Sequence, residues 1–233
     1  MATFGSVVLD VDSTLTRVEG IAWLAQRKGG DVMRRVASMT ERAMDGTVPL
    51  DEVYGMRLAL VQPSRSDVAA LAAAYARGIV RGARKTLARL RADGVHLTVV
   101  SGGLRQAVAP FAESLGFADG QIHAVSVEFS ADGCYAGFDD TSPLTRRGGK
   151  PAVVRGLDLP RPVLALGDGS TDAELRRDPA GGTPAVDAFA AFVGVAERPT
   201  VVAVADYVVR HFDELPMVVH GELPLVTHRG IQP

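Results

Sequence analysis

Cysteine is almost missing from this 233-residue chain. Cys134 stands alone, which excludes an intrachain disulfide framework and any zinc site built on clustered cysteines. Long apolar runs are missing as well. No stretch of ~18 uncharged apolar residues occurs, so no segment is expected to span a membrane. The opening Met1-Ala2-Thr3-Phe4-Gly5-Ser6-Val7-Val8-Leu9-Asp10 has no basic n-region and reaches an acid too early for a signal peptide. Neither sign of charge is in excess: 25 Lys and Arg face 27 Asp and Glu, a net charge of −2. Nothing basic argues for nucleic acid or an anionic membrane as a partner. Glycine and proline make up only about 16%, below the ~25–30% that marks disorder. These absences leave a soluble cytoplasmic protein as the default expectation. A chain of this length buries about 70% of its unfolded surface, enough for a core without staples.

What is present is patterned. Val7-Val8-Leu9 runs into Asp10-Val11-Asp12-Ser13-Thr14. His96 to Val100 runs into Ser101-Gly102-Gly103, and Val163 to Leu166 runs into Gly167-Asp168-Gly169-Ser170-Thr171-Asp172. Buried strands that end in polar loops opening helices describe an α/β fold with a parallel sheet. Ligands in such sheets bind outside the carboxyl ends of the strands, which would gather all three polar clusters on one edge. Between them lie helical patterns from Ala83 to Gly94 and from Leu104 to Gly116, with Pro110 expected to kink the second or delay its start. Phe189 to Val193 and Val201 to Val204 read as further strands. Ala131-Asp132-Gly133 is a turn signal between two short β-like runs.

Residues 17–78 differ. Four helical stretches follow one another without a strong strand: Ile21 to Ala25, one from Asp31, one after Pro49, and one after Ser66 with Val68, Leu71 and Tyr75. An all-helical insert straight after the first strand predicts a lid, residues 17–78, over a core of 1–16 plus 79–233.

Taken singly, the polar clusters are ambiguous. Asp10 and Asp12 could be an Asp-rich turn. They do not begin a calcium loop, because Leu15 stands where Gly is needed and Ile21 where Glu is needed. Gly167-Asp168-Gly169 is not a dinucleotide fingerprint, since Asp172 holds the third glycine position. Gly148-Gly149-Lys150 is not a Walker loop, since Leu144 replaces its first glycine and Pro151 follows the lysine. Ser101-Gly102-Gly103 reads as a strand-to-helix turn whose free N–H groups can face an anion.

Taken together, an Asp-x-Asp-x-Thr motif, a Ser motif, a Lys and a Gly-Asp-x-x-x-Asp motif in this order resemble the haloacid dehalogenase-like phosphohydrolases. Glu19-Gly20-Ile21, Arg42-Ala43-Met44, Arg57 to Arg65, Tyr135 to Asp139 and Gly148-Gly149-Lys150 extend the resemblance to the phosphoserine phosphatases of that family, over residues 7 to 215. The resemblance implies a Rossmann-like core with an inserted helical cap. It also implies Mg²⁺-dependent hydrolysis of O-phospho-L-serine in serine biosynthesis, with no nucleic-acid or membrane partner, and it leaves a homodimer open. It makes Asp10 the nucleophile and Asp12 the acid and base. Asp10, Asp168 and the Asp12 carbonyl hold the metal, with Asp172 orienting the metal's waters. Ser101, the Gly102 N–H and Lys150 bind the phosphoryl group. Glu19 grips the substrate ammonium and Arg57 its carboxylate. Met44 packs on the substrate, shields the site from water, or simply packs in the core.

The chain departs from the family pattern at Ala124-Val125-Ser126, at Phe192-Val193-Gly194, in the long connection from Arg177 to Val186, and after residue 216. The five histidines lie outside every motif, and Ser13 reads as a turn residue. Two rival readings stay open: an enzyme acting on, or transferring phosphate from, another small phosphomonoester, and a non-catalytic phospho-acceptor module.

Overall fold

The computed structural model describes residues 3–44, 50–177 and 181–226, except the side chains of 41–44 and 50–51. The elements follow in the order β1 (Ser6–Leu9), α1 (Gly20–Arg27), α2 (Gly30–Met44), α3 (Leu50–Val61), α4 (Arg65–Arg77), α5 (Ala83–Ala92), β2 (His96–Leu104), α6 (Arg105–Ser114), β3 (Ile122–Val125), β4 (Val127–Phe129) and β5 (Tyr135–Phe138). After these come α7 (Gly149–Arg155), β6 (Val163–Gly167), α8 (Ser170–Ala173), β7 (Ala188–Phe192), α9 (Pro199–Val202), β8 (Tyr207–Val209) and α10 (Leu215–Val219). Among the described residues no helix is long and apolar enough to cross a membrane.

Six strands form one sheet in the order β3-β2-β1-β6-β7-β8, every pair parallel. Strands β1, β6 and β7 are buried along their whole length, which is why they read as short continuous apolar runs. Alternate side chains feed opposite faces. Val7, Leu9, Val99, Leu164 and Leu166 pack with α5, α6 and α10. Val8, Val100, Val163, Ala165 and Phe189 pack with Val154 of α7, Ala173 of α8 and Val201 of α9.

Helices α1 to α4 occupy the stretch between Thr16 and Ile79, which meet in an isolated antiparallel bridge. Helices α1 to α3 pack mainly on one another, while α4 lies chiefly against α6, with the Tyr75 and Phe111 rings 5.7 Å apart. Helix α4 starts one residue after Ser64 rather than after Ser66. Ser64 Oγ accepts the Asp67 N–H at 3.1 Å and the Asp67 carboxylate accepts the Ser64 N–H at 3.0 Å, a reciprocal cap that Ser66 cannot make. The hairpin β4–β5 turns where Ala131-Asp132-Gly133 signals it, and its Phe138 packs edge-on against Tyr54 of α3.

Three expectations need correction. Ser101-Gly102-Gly103 is not a turn: β2 continues to Leu104, with an irregular register between Val100 and Leu104. Of the two outcomes expected for Pro110, the later start does not occur: α6 begins at Arg105 and carries the proline inside it. The β-branched run Val201 to Val204 is not a strand. Pro199, with its fixed φ, opens α9 there, and the strand follows at Tyr207–Val209. Of the long connection after Arg177, residues 178–180 lie outside the described residues. The chain after 216 continues α10, whose Val218 and Val219 are buried in the core.

Candidate active site

The sheet order reverses at β1. From there β2 and β3 extend one way and β6 to β8 the other, so a crevice opens outside the carboxyl ends of β1 and β6. Asp10 is the first residue past β1 and donates its N–H to the Leu166 carbonyl at 3.0 Å. Asp168 is the first residue past β6. Register pairs Leu9 with Leu166 on one side and with Val99 on the other, which brings Ser101 and Gly102 to the same edge. The crevice is a cleft of about 900 Å³ lined by Asp10, Asp12, Glu19, Arg57, Ser101, Gly102 and Lys150. Asp168 and Asp172 are buried, next to Gly169, Ser170 and Thr171 of the cleft lining.

Lys150 enters from the first turn of α7 and is itself buried. Its Nζ lies 2.8 Å from Asp10 Oδ1 and 2.6 Å from Asp172 Oδ1. Burial alone would pull the ammonium down, but the two carboxylates outweigh it and hold the lysine above its ordinary value. Asp172 reaches this position because residue 167 is glycine: a Cβ there would stand 2.1 Å from Asp172 Cγ. Burial, then the charges of Asp10 and Asp172, push Asp168 up to about 8. Burial and Asp10 push Asp172 up to about 6 against the pull of Lys150.

Asp12 turns away from this cluster. Its Oδ2 accepts the Gly20 N–H at 2.8 Å. Burial first, then the charges of Glu19 and Asp10, raise its carboxyl to about 7. A carboxyl near that value carries a proton for part of the time at neutral pH and can both give and take one. Asp10 and Asp12 thus stand two residues apart in different surroundings.

From the helical segment, Arg57 of α3 is half-buried: its Nε is buried without a hydrogen-bond partner, and its guanidinium lies 5.9 Å from the Tyr54 ring. A buried donor without an acceptor is costly unless a ligand supplies one. Glu19 caps the start of α1 and accepts from Ser13 Oγ at 2.6 Å. Met44 carries a side chain outside the described residues. Ser13, expected in a plain turn, sits at φ 49 and is buried. That left-handed backbone is strained for a serine and aims its hydroxyl at Glu19.

Four more groups escape sequence reasoning, Tyr54 and Arg198 lining the cleft and Thr14 and Tyr75 fully buried. Thr14 Oγ1 donates to Asp168 Oδ1 at 3.2 Å. Tyr54 donates its hydroxyl to the Gly102 carbonyl at 2.9 Å. Arg198 places Nη2 2.8 Å from Asp168 Oδ2 and 3.4 Å from Glu19 Oε1. Tyr75 is buried beside Asp12. The Asp-x-Asp-x-Thr spacing could have flagged Thr14; nothing in the sequence singles out Arg198.

Asp10, Asp168 and Asp172 each offer a carboxylate oxygen, all within 4.8 Å of one another. Asp10 Oδ1 and Asp168 Oδ2 are buried and accept no well-aligned hydrogen bond, with Lys150 and Arg198 beside them as ion-pair partners. Clustered, under-satisfied carboxylate oxygens fit a hard metal cation.

The comparisons agree with this geometry. A family model described as haloacid dehalogenase-like hydrolase matches residues 7–177. Phosphoserine phosphatase of Mus musculus is 37% identical over 213 residues, covering 90% of this chain and 91% of the relative. Phosphoserine phosphatase of Halobacterium salinarum is 33% identical over 225 residues, covering 92% and 98%. Among solved structures, a phosphoserine phosphohydrolase-like protein from Francisella tularensis superposes with a TM-score of 0.80 at 24% identity, covering 92% of this chain and 99% of that one. The parallel sheet, the acids at its reversal point and these matches place the chain in the haloacid dehalogenase-like hydrolase family.

Proposed function

We propose that this chain hydrolyses O-phospho-L-serine to L-serine and phosphate through an aspartyl-phosphate on Asp10, as a cytoplasmic step of serine biosynthesis. One observation carries the reading: Asp10 stands at the crevice with Lys150 Nζ 2.8 Å away, in a cleft also lined by the half-buried Arg57, whose buried Nε has no hydrogen-bond partner, and by the acid Glu19. A nucleophile with a phosphoryl-binding cation faces groups complementary to an amino-acid zwitterion. The curated relatives at 37% identity, themselves phosphoserine phosphatases, support it. Every group named lies on one chain, so the reading needs no second copy.

Arg57 takes the substrate carboxylate and Glu19 its ammonium, which sets the ester over Asp10. Asp10 attacks phosphorus while Asp12 gives its proton to the departing serine oxygen. Asp12, now a carboxylate, takes a proton from the water that cleaves the acyl phosphate. Lys150, Ser101 and the Gly102 N–H hold the phosphoryl oxygens as charge builds on them. Asp10, Asp168 and the Asp12 carbonyl, with Asp172 behind them, would hold Mg²⁺, which would supply positive charge to offset the crowded carboxylates and the phosphate dianion. Residues 17–78 act as the lid that excludes water, on a core of 1–16 plus 79–233; the Thr16–Ile79 bridge, which joins the two ends of that segment, is compatible with this division.

Turnover of phosphoserine against a panel of small phosphomonoesters, with products identified by NMR, tests the substrate. Arg57→Ala should raise KM for phosphoserine about tenfold or more, from loss of a charge-assisted pair, and leave phosphate monoesters without a carboxylate unaffected. Poor turnover of phosphoserine together with an unchanged KM in that variant contradicts the assignment. Phosphoryl transfer to an added alcohol would favour a transferase, and a phospho-Asp10 stable for minutes a switch.

Stability should report the cation. Asp12, Asp168 and Asp172 have folded-state values above the ordinary carboxylate value, at about 7, 8 and 6. Their contribution is therefore full at low pH and is lost as pH rises through that range. The cation-free chain should melt lower at pH 8.5 than at pH 5.5. Mg²⁺ at a hundred times its Kd adds about 2.7 kcal/mol, which for a chain of this size is about 5–10 °C, and most of that gain should appear at the higher pH. A melting temperature indifferent to Mg²⁺ at pH 8.5 contradicts the site.

A further inference from the structure

Helix α4 carries a buried hydroxyl that the reading above leaves idle. Tyr75 is fully buried, and its ring is held 5.7 Å from that of Phe111. Its Oη makes no well-aligned hydrogen bond. Two glycines leave that oxygen its place: a Cβ on Gly20 would stand 2.3 Å from Tyr75 Oη and 3.2 Å from Asp12 Oδ2, and one on Gly103 would stand 3.4 Å from Tyr75 Oη. The hydroxyl thus occupies the wall beside the Asp12 carboxyl. Asp12 Oδ2 already takes the Gly20 N–H at 2.8 Å, whereas Asp12 Oδ1 is buried with no donor. The buried phenol already stands within interaction range of the Asp12 carboxyl, where its contact favours the ionised acid, but the two are not aligned as donor and acceptor; a small adjustment lets them satisfy each other once the carboxyl is ionised.

We propose that Tyr75 is a positioning residue for Asp12, donating its Oη–H to the Asp12 carboxylate while the phosphoenzyme is hydrolysed. The inference rests on Asp12 as the acid and base. In the first half-reaction Asp12 is protonated and gives its proton to the serine oxygen. In the second, the water oxygen bonds to phosphorus, the Asp10 Oδ–P bond breaks to return the carboxylate, and the water proton goes to Asp12. Tyr75 keeps its own proton throughout. Together with the Gly20 N–H it fixes the orientation in which Asp12 receives that proton. Its effect therefore falls on the second half-reaction, where Asp12 starts ionised.

Tyr75→Phe keeps the ring packing and removes only the oxygen, so its melting temperature should hold or rise. Its kcat should fall about tenfold or more, the scale of one hydrogen bond to a charged group, with KM for phosphoserine within twofold. The fraction of enzyme trapped as phosphoenzyme by acid quench during turnover of ³²P-labelled phosphoserine should rise. Gly20→Ala, which crowds Oη, should give the same signature. If kcat and the phosphoenzyme fraction both stay within twofold, Tyr75 is packing and the inference is overturned. A rise in KM alone, or a fall in trapped phosphoenzyme, overturns it equally. Asp12→Asn separates the two levels. If that variant keeps full activity, the reading of Asp12 itself fails; if it is inactive while Tyr75→Phe is neutral, only the role of Tyr75 fails.

Discussion

Asp10→Asn should abolish phosphate release. The amide matches the carboxylate in shape and leaves the Asp10 N–H on the Leu166 carbonyl, so the crevice keeps its form. What it loses is the nucleophile, since an amide oxygen will not form a stable acyl phosphate at neutral pH. Phosphomonoester hydrolysis is among the slowest uncatalysed reactions, and enzymes approach ~10²¹-fold over it; with the covalent route closed, at least ~10⁴-fold should be lost. Phosphoserine should still bind, because Arg57 and Glu19 are untouched, and calorimetry on the variant can show it. Residual turnover above about one part in a hundred, with binding intact, would mean that another group attacks phosphorus.

Lys150→Ala should cost several orders of magnitude in kcat. Only 6% of the Lys150 side chain is exposed, and it lies within ion-pair distance of both Asp10 and Asp172. Asp10, Asp12, Asp168 and Asp172 can carry four negative charges, and a phosphate dianion must come beside them. The lysine is the buried cation that makes the approach tolerable, and removing one such donor alone costs roughly 10²–10³. The same change strands two buried carboxylates, which costs about 3–5 kcal/mol of stability. The variant should therefore be assayed below its lowered melting point, where a loss under tenfold would count against the role of Lys150. Lys150→Arg keeps the charge but not the compact ammonium, and should recover stability better than rate.

Much of the frame was readable because its physics is local. Fully buried parallel strands must be apolar throughout, so Val7 to Leu9 and Val163 to Leu166 announce themselves, and the acids that follow announce a crevice. The hairpin at Ala131-Asp132-Gly133 was readable for the same reason, from turn chemistry. Reading failed where tertiary geometry overrides local signals. Ser101-Gly102-Gly103 looks like a turn because glycine pairs usually are one, yet the sheet carries β2 on to Leu104 through an irregular register. Val201 to Val204 looks like a strand, but Pro199 commits it to a helix. Tyr75 falls on the apolar stripe of its helix with Val68 and Leu71, and periodicity does not say that its last atom reaches Asp12. Arg198, thirty residues beyond Asp168 and in no motif, becomes a partner of Asp168 and Glu19 only through the fold.

The central claim is that Asp10 becomes phosphorylated during turnover. Acid quench during hydrolysis of phosphoserine, borohydride reduction of any acyl phosphate, and peptide mass mapping test it directly. The account predicts homoserine at position 10, its yield rising when turnover is slowed at the second step. An unmodified Asp10 in a fully active preparation, or reduction at a different carboxylate, would contradict it.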